Sequence, residues 1–326
     1  MKNKKKLLKI TLILVLPILL VLGFYVYYYN VYLQNNINNI FSILEEQNNS
    51  NEEKENKELI KLGYNKDEIS LITNLDDENI KRIENSEKKD YIKELLTDTY
   101  FIESNLDNYI NYISENEGNS IRENVEIVNT NRHLDFYTNI QMADPEKGKL
   151  ILTNKYYKLS EDFNPGELVN LSGYYGLGSL VEESYNAFMD MHEAASEVGL
   201  RLYATSTYRD YDHQKRLYTN YAANRGQKEA DRFSARPGHS EHQTGLALDF
   251  IEPGKSLREF ENTDEFIWLQ SNAHKFGFIL RYPDNKEHIT GYIYEPWHYR
   301  YVGQEVAKYI YENEITFDEY YAFYLK

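Results

Sequence analysis

The chain has 326 residues, a formal net charge of −16 and no cysteine, with 41% hydrophobic and 14% aromatic residues. This length exceeds that of one small domain, and the apolar content is sufficient for a folded core. The absence of cysteine excludes disulfides, thiolate metal sites and a cysteine nucleophile. The first 30 residues hold five lysines and no acid, so the remainder carries −21, which argues against a nucleic-acid partner.

Lysines followed by an apolar run begin the chain. The uncharged run extends from Ile10 to about Tyr29, and its centre reads ITLILVLPILLVLGF. About 20 apolar residues match the thickness of a bilayer, and the tyrosines that end the run are typical of a membrane interface. We predict that residues 1–29 form a single-pass membrane anchor with a cytoplasmic N-terminus and an extracytoplasmic body. A cleaved signal peptide is the alternative, but GFYVYYYN, which follows Leu22, offers no small-residue cleavage site.

Two further segments separate this anchor from the rest of the chain. Residues 30–56 are rich in Asn, Glu and Lys, which is typical of a solvated stalk. Within residues 57–120, isoleucine and leucine recur at spacings of three to four. This pattern predicts a small acidic helical module, broken into short helices near Asn65 and Asp76. We interpret the module as a spacer that also caps the next domain, and a separate binding role is the alternative.

Residues 121–326 combine strand and helix patterns. Val125 and Ile127 alternate as in a strand, and LRLYATSTYR, GLALDFIEP and GYIYEPWHYRYVG predict further strands. Periodicity and capping residues predict helices over 180–198, 211–224, 264–275 and 304–313. We predict no further helix or strand after residue 313. Because helices and strands mix without a regular βαβ repeat, we predict an α+β domain with a central antiparallel sheet flanked by helices.

The segment SEHQTGLALDF, residues 240–250, combines a histidine in a polar turn with an aspartate on the following strand. His242 and Asp249 are seven residues apart, and Gly245 permits a turn between them. Strand alternation places Asp249 on the face opposite Phe250. A buried carboxylate without a partner is costly, and we infer that a metal ion is its partner.

The segment EPWHYRYVG supplies a second histidine, His298, three residues after Glu295. Pro296 disfavours a helix interior, so this pair is not a helical zinc motif. Two imidazoles and one carboxylate leave the fourth position of a catalytic zinc open, and we predict one zinc per chain. Such a zinc acidifies water and polarises a carbonyl, while Glu295 is suited to transfer the proton. His192-Glu193 lacks a second histidine on its predicted helix, and we interpret that pair as facing solvent.

Three motifs together resemble one family of zinc peptidases. SARPGHSEHQTGLALDF, EPWHYRYVG and the earlier STYRDYDHQ are similar to the VanY-type D-alanyl-D-alanine carboxypeptidases, which share their fold with D-Ala-D-Ala dipeptidases and the hedgehog signalling domain. The family pattern Ser-x-His-x-x-Gly-x-Ala-x-Asp, followed by Glu-x-Trp-His, is met without a gap or substitution. The resemblance spans roughly residues 125–315, and so leaves the anchor, the stalk and the helical module outside it.

This resemblance implies a role for each motif residue. It implies three zinc ligands and a catalytic base, namely His242, Asp249, His298 and Glu295. It implies that Arg209 binds the terminal carboxylate of the substrate, because a planar guanidinium can form two parallel hydrogen bonds with a carboxylate. Gln214 and Ser240 are further implied substrate contacts. The alternatives are a surface salt bridge for Arg209 and local backbone capping for the other two.

The reaction that the resemblance implies is removal of the C-terminal D-alanine from peptidoglycan stem peptides. One alternative is L,D-carboxypeptidase activity on a tetrapeptide stem, which uses the same metal site. Another is a wall-peptide binding module without turnover, which the presence of Glu295 disfavours. Under either enzymatic interpretation the partners are a stem peptide and, through the predicted anchor, the membrane.

Overall fold

The computed structural model describes residues 22–40, 42 and 56–326. This described chain separates into two compact units between Leu96 and Thr97. Each unit buries its own set of apolar side chains. The domain boundaries at residues 56 and 120 rest on composition and periodicity, and they stay predictions.

A helix over residues 22–40, here α1, precedes the first core, and its apolar side chains are exposed. The predicted anchor, residues 1–29, falls mostly outside the described residues, and so do residues 43–55 of the predicted stalk. Among the helices that the structure does describe, none is both long enough and apolar enough to cross a membrane. The anchor is therefore a prediction from the sequence alone.

Short helices make up the rest of the first unit: α2 Lys57–Leu62, α3 Lys66–Ile72, α4 Asp77–Glu84 and α5 Ile92–Leu96. Their fully buried side chains form a small apolar core of Leu59, Ile72, Ile83, Ile92 and Leu95. Asn65 and Asp76 are the N-caps of α3 and α4, where each side chain accepts a hydrogen bond from a backbone N–H. The predicted series of short helices is confirmed in this region.

The second unit mixes helices and strands. Its helices are α6 Leu106–Glu115, α7 Ile121–Asn129, α8 Glu182–Glu197, α9 Tyr211–Arg225, α10 Gln227–Phe233, α11 Asp264–Asn272, α12 Glu287–Thr290, α13 Gln304–Asn313 and α14 Phe317–Tyr324. Its strands are β1 Gln141–Met142, β2 Tyr157–Lys158, β3 Leu168–Asn170, β4 Ser179–Val181, β5 Ala204–Ser206, β6 Ala247–Phe250, β7 Phe278–Leu280 and β8 His298–Tyr301. The predicted α+β class is confirmed.

A four-stranded antiparallel sheet, in the order β5-β6-β8-β7, forms the centre of this unit. In the β6–β8 pair, Asp249 lies directly opposite His298 and Ala247 opposite Arg300. In the β5–β6 pair, Ser206 is the partner of Asp249. The register therefore brings three segments that the sequence separates widely to one place on the sheet.

Aromatic packing fixes the position of β6 within the core. The ring centroid of Phe250 lies 5.9 Å from that of Phe188 on α8 and 5.3 Å from that of Tyr299 on β8. Leu248 and Phe250 belong to the main apolar core, as the predicted strand alternation requires. The core holds β6 rigidly and leaves Asp249 on the other face.

Three sequence predictions for this unit are wrong. Val125 and Ile127 lie within helix α7 rather than a strand, because the buried residues Ile121, Val125 and Val128 follow helical spacing after the N-cap Ser120. The predicted elements also end before α14, which follows α13.

His192 does not face solvent. Its side chain is buried in α8, where Nδ1 lies 2.9 Å from the carbonyl oxygen of Leu202. The imidazole therefore has a structural role that links the helix to the chain leading into β5.

Candidate active site

Local turns and strand pairing position three potential metal donors. His242 lies on a 3₁₀ turn, Glu241–Thr244, that Gly245 closes with a φ of +67°. A Cβ at Gly245 would lie 3.0 Å from Val181, so this close approach also favours glycine. The chain then enters β6, which carries Asp249, and β8 supplies His298 opposite it.

The three side chains converge in a buried cluster. Asp249 Oδ1 lies 2.9 Å from His298 Nδ1, and Asp249 Oδ2 lies 3.5 Å from His242 Nε2. One donor atom from each residue falls within 4.8 Å of the others, and all three residues are buried. Two imidazole nitrogens and a carboxylate in this arrangement are the donor set of a catalytic zinc site.

Hydrogen bonds determine which nitrogen each imidazole presents. His242 Nδ1 lies 2.7 Å from the backbone oxygen of Thr207, which can only accept, so the Nδ1–H donates and Nε2 keeps its lone pair. His298 Nε2 lies 3.4 Å from Glu241 Oε2, while Nδ1 faces Asp249. His242 Nε2 and His298 Nδ1 therefore face the same carboxylate, and these are the two nitrogens that could coordinate a metal beside Asp249.

Burial and neighbouring charges shift the pKa values of the three potential metal donors. Burial alone would raise the pKa of Asp249, but His242 and His298 outweigh it and hold that pKa well below its usual range. Burial likewise opposes protonation of His298, yet the hydrogen bonds with Asp249 and Glu241 raise its pKa to about 9. Burial and the nearby Arg209 lower the pKa of His242. An anionic Asp249 beside a neutral His242 fits a divalent cation.

Glu295 lines the same cleft and is buried, with its backbone N–H bonded to the oxygen of Tyr282 at 3.0 Å. Burial raises the pKa of its carboxyl to about 8; Asp249 reinforces this shift, and His298 and Lys155 oppose it. A carboxyl with a pKa near neutrality can both take and return a proton, which is the property of a general base that later acts as an acid.

Arg209 lies in the same cleft, held by neutral partners. Its Nε donates to Gln214 Oε1 at 2.7 Å, and its Nη1 donates to Ser206 Oγ at 3.2 Å. Gln214 in turn donates from Nε2 to the backbone oxygen of Ala235. The amide of Gln214, predicted as a substrate contact, is thus engaged in holding the guanidinium.

The cleft has a volume of about 600 Å³ and brings all the predicted site residues together. Its lining includes the three potential metal donors, Glu295, Arg209, Gln214 and Ser240. Ser240 is buried directly before the turn that carries His242. This volume is sufficient for a short peptide end rather than a folded substrate.

The sequence patterns did not reveal a group of buried charges behind the cleft. Glu241, Arg281, Arg300 and Asp318 have almost no exposed surface. Glu241 Oε1 accepts from Arg281 Nε at 2.8 Å and from Arg300 Nη1 at 2.9 Å, and Arg281 Nη1 also donates to Asp318. Glu241 lies inside the SEH motif, and this position is the signal that could have indicated it.

An antiparallel sheet, a His-Asp-His donor cluster and a buried carboxyl in one cleft define a zinc-peptidase type of site. A family model described as VanY, D-alanyl-D-alanine carboxypeptidase, matches residues 178–304. A D-alanyl-D-alanine carboxypeptidase of Enterococcus faecalis (strain ATCC 700802 / V583) is 33% identical over 190 residues, which are 55% of this chain and 68% of that protein. The chain belongs to this family of carboxypeptidases.

Two further relatives extend the comparison. The YodJ protein of Bacillus subtilis (strain 168) is 42% identical over 181 residues, or 53% of this chain and 66% of YodJ, just under two thirds of its length. The solved structure of the LdcB LD-carboxypeptidase is 38% identical, covers 58% of this chain and 94% of that one, and superposes with a TM-score of 0.53.

Proposed function

We propose that this protein is a zinc-dependent carboxypeptidase that removes the C-terminal D-alanine from peptidoglycan stem peptides. The observation that carries the proposal is that Arg209 shares one cleft with the three metal donors and with Glu295. A carboxypeptidase must recognise a free terminal carboxylate beside the bond it cuts, and a guanidinium is suited to that recognition.

Internal hydrogen bonds orient the Arg209 guanidinium before any substrate binds. Gln214 and Ser206 hold the guanidinium by neutral oxygens, so its positive charge has no hydrogen-bonded carboxylate within the described chain. A substrate carboxylate supplies that counter-charge, and because the guanidinium is already oriented, little entropy is lost on binding. The scissile peptide bond then lies next to the terminal residue that Arg209 holds.

The hydrolysis uses the chain's own acid–base group. His242 Nε2, Asp249 and His298 Nδ1 would hold the zinc, which when bound acidifies a water and polarises the scissile carbonyl. Glu295 accepts the proton of the attacking water as the new bond between water oxygen and carbonyl carbon forms. Glu295 then gives that proton to the departing amine, and the C–N bond breaks to release D-alanine.

L,D-carboxypeptidase activity on tetrapeptide stems is the second candidate. It is favoured by the similarity to LdcB, an LD-carboxypeptidase whose structure is described as revealing peptidoglycan recognition. The two activities share the metal donors and Arg209, and differ in the configuration of the residue before the cut.

The experiment compares four peptides with the purified full-length protein: a pentapeptide stem ending in D-Ala-D-Ala, a tetrapeptide stem ending in one D-alanine, and the C-terminally amidated form of each. D-Alanine release is measured with zinc and after chelation. We expect zinc-dependent release from a free-acid peptide and none from its amidated form. Equal cleavage of both forms would contradict the role of Arg209, and no release from any peptide would favour a binding module.

For the cellular context we propose that residues 1–29 anchor the chain in the membrane with the N-terminus in the cytoplasm. The lysines that precede the apolar run support this orientation. The carboxypeptidase domain then lies outside, where its wall substrate is, and residues 30–120 act as stalk and spacer. Protease added to intact spheroplasts should digest the domain, and its protection there would contradict this topology.

A further inference from the structure

Glu241 is fully buried between the metal donors and a pair of arginines. It precedes His242 in the 3₁₀ turn, and its side chain lies between the His298 ring on one side and Arg281 and Arg300 on the other. Arg281 and Arg300, whose side chains have no exposed surface, both form ion pairs with this carboxylate. An anionic carboxylate is therefore fixed behind the site.

The two carboxylate oxygens of Glu241 contact different groups. Oε1 accepts from Arg281 Nε at 2.8 Å and from Arg300 Nη1 at 2.9 Å. Oε2 lies 3.4 Å from His298 Nε2, at the long end of hydrogen-bonding distance. Because two guanidinium donors fix Oε1, the direction of Oε2 is fixed as well.

We propose that Glu241 is a positioning residue that sets the tautomer and orientation of the His298 ring. The Nε2–H is donated to Glu241, which keeps Nδ1 unprotonated on the side of Asp249 when the metal is bound. A carboxylate behind a histidine ligand is a known way to orient the ring and increase its basicity. This inference rests on the proposed function only in taking His298 as a zinc ligand.

A second contact supports the ring orientation that Glu241 imposes. The Tyr282 ring stacks on the His298 imidazole, with 5.0 Å between centroids and 27° between planes. Stacking fixes the plane of the imidazole but leaves open a 180° flip of the ring, which exchanges each nitrogen with a ring carbon. The two carboxylates select one of these orientations, because it places Nε2 toward Glu241 and Nδ1 toward Asp249.

Asp318 provides a matched control for Glu241. It is equally buried and accepts from the same Arg281, and its other oxygen accepts from Asn154 Nδ2. Within the described part of the chain, no contact joins Asp318 to a metal donor. Glu241→Gln and Asp318→Asn therefore both neutralise one carboxylate of the same network, but only the first removes the acceptor of His298.

The test measures zinc affinity in the full-length protein by competition with a chromophoric chelator, using the metal alone. Glutamine that keeps its carbonyl toward the arginines presents an N–H to His298, which favours the wrong tautomer. We expect Glu241→Gln to weaken zinc binding about 10- to 100-fold. We expect Asp318→Asn to stay within about threefold of the parent, although both variants lower the apoprotein's melting temperature.

A tautomer readout separates positioning from general destabilisation. Long-range ¹H–¹⁵N spectra of the zinc-loaded protein should show the His298 proton on Nε2 in the parent and in Asp318→Asn. Equal zinc affinity in Glu241→Gln and the parent, an Nδ1 proton in the parent, or equal losses in both variants would overturn the proposal. A parent that binds zinc but releases no D-alanine would instead refute the proposed function.

Discussion

Two sides of one cleft hold their buried charges in opposite ways. On the metal side, Arg281 and Arg300 both donate to the carboxylate of Glu241. On the side that we assign to the substrate carboxylate, Arg209 donates only to Gln214 and Ser206 among its described partners. The guanidinium groups are chemically identical, so their neighbours decide what each can do.

The difference separates structural arginines from a binding arginine. A guanidinium paired with an internal carboxylate has its charge compensated, and it stabilises the position of what it holds. A guanidinium held by neutral oxygens keeps its charge for an incoming anion, at the cost of burial, which lowers the pKa of Arg209. The comparison predicts that substitutions on the metal side change zinc affinity, whereas substitutions at Arg209 change the binding of the peptide.

Substitution of the general base should have the largest effect. Glu295→Gln keeps the shape of the side chain but removes its ability to take a proton, so we expect kcat to fall about 10²- to 10⁴-fold. Zinc affinity should change little, because Glu295 is not among the three clustered donors. Unchanged D-alanine release would refute the mechanism, and His242→Ala, which should abolish stoichiometric zinc, is the contrasting variant.

Arg209→Lys tests the substrate side. Lysine keeps the charge but loses the planar pair of donors, so we expect kcat/KM for free-acid peptides to fall about 10- to 100-fold. Zinc affinity should stay at the parent value. Arg258→Lys, at an exposed arginine that lines the same cleft, is the control. Similar losses in both variants would show that cleft charge, rather than the pre-set Arg209, binds the peptide.

Gln214→Ala tests whether the neutral partner positions the arginine. The substitution removes one hydrogen bond to Arg209 Nε, which is worth about 1 kcal/mol, so we expect KM to rise about fivefold with little change in kcat. The double variant with Arg209→Lys should lose less than the sum of the two single effects. Full additivity would mean that Gln214 contacts the substrate directly, as the sequence resemblance implied.

A carboxyl outside the cleft gives the smallest effect. Burial, reinforced by Glu319, raises the pKa of Glu126 from 4.5 to about 7. The folded state therefore holds this proton more tightly than the unfolded state, and stability falls as the pH rises from 4.5 through 7. The free energy of unfolding of Glu126→Gln, measured relative to the parent, should therefore be about 1 kcal/mol higher at pH 8 than at pH 5. Urea titrations at both pH values check this, with exposed Glu115→Gln as the control.

Short motifs made the cleft residues predictable from the sequence. His242 and Asp249 belong to one motif and Glu295 and His298 to another, and each motif keeps its members within a few residues. The grouping of Arg209 with them came from the family resemblance rather than from spacing. Periodicity likewise predicted helices α8 and α13, whose apolar positions recur regularly, while the closing Gly226 indicated the end of α9.

The buried network of Glu241, Arg281, Arg300 and Asp318 could not be predicted in the same way. Glu241 and Asp318 are 77 positions apart, and only the folded chain brings both to Arg281. The SEH motif could have indicated Glu241, but a charged residue in a sequence normally indicates solvent, so its pairing with the distant Arg281 and Arg300 leaves no pattern to detect. The strand predicted at Val125 is wrong for a related reason. Three β-branched residues in a short window fit both the two-residue period of a strand and the 3.6-residue period of a helix, and tertiary packing decides between them.

The pairing of β6 with β8 also couples the metal to the folding of the chain. Asp249 and His298 are 49 residues apart and become neighbours only when these strands pair. An unfolded chain cannot present both donors together, so zinc at a concentration 100-fold above its dissociation constant should stabilise the folded state by about 2.7 kcal/mol. Metal supply would then govern how long the domain survives proteolysis, as well as whether it is active.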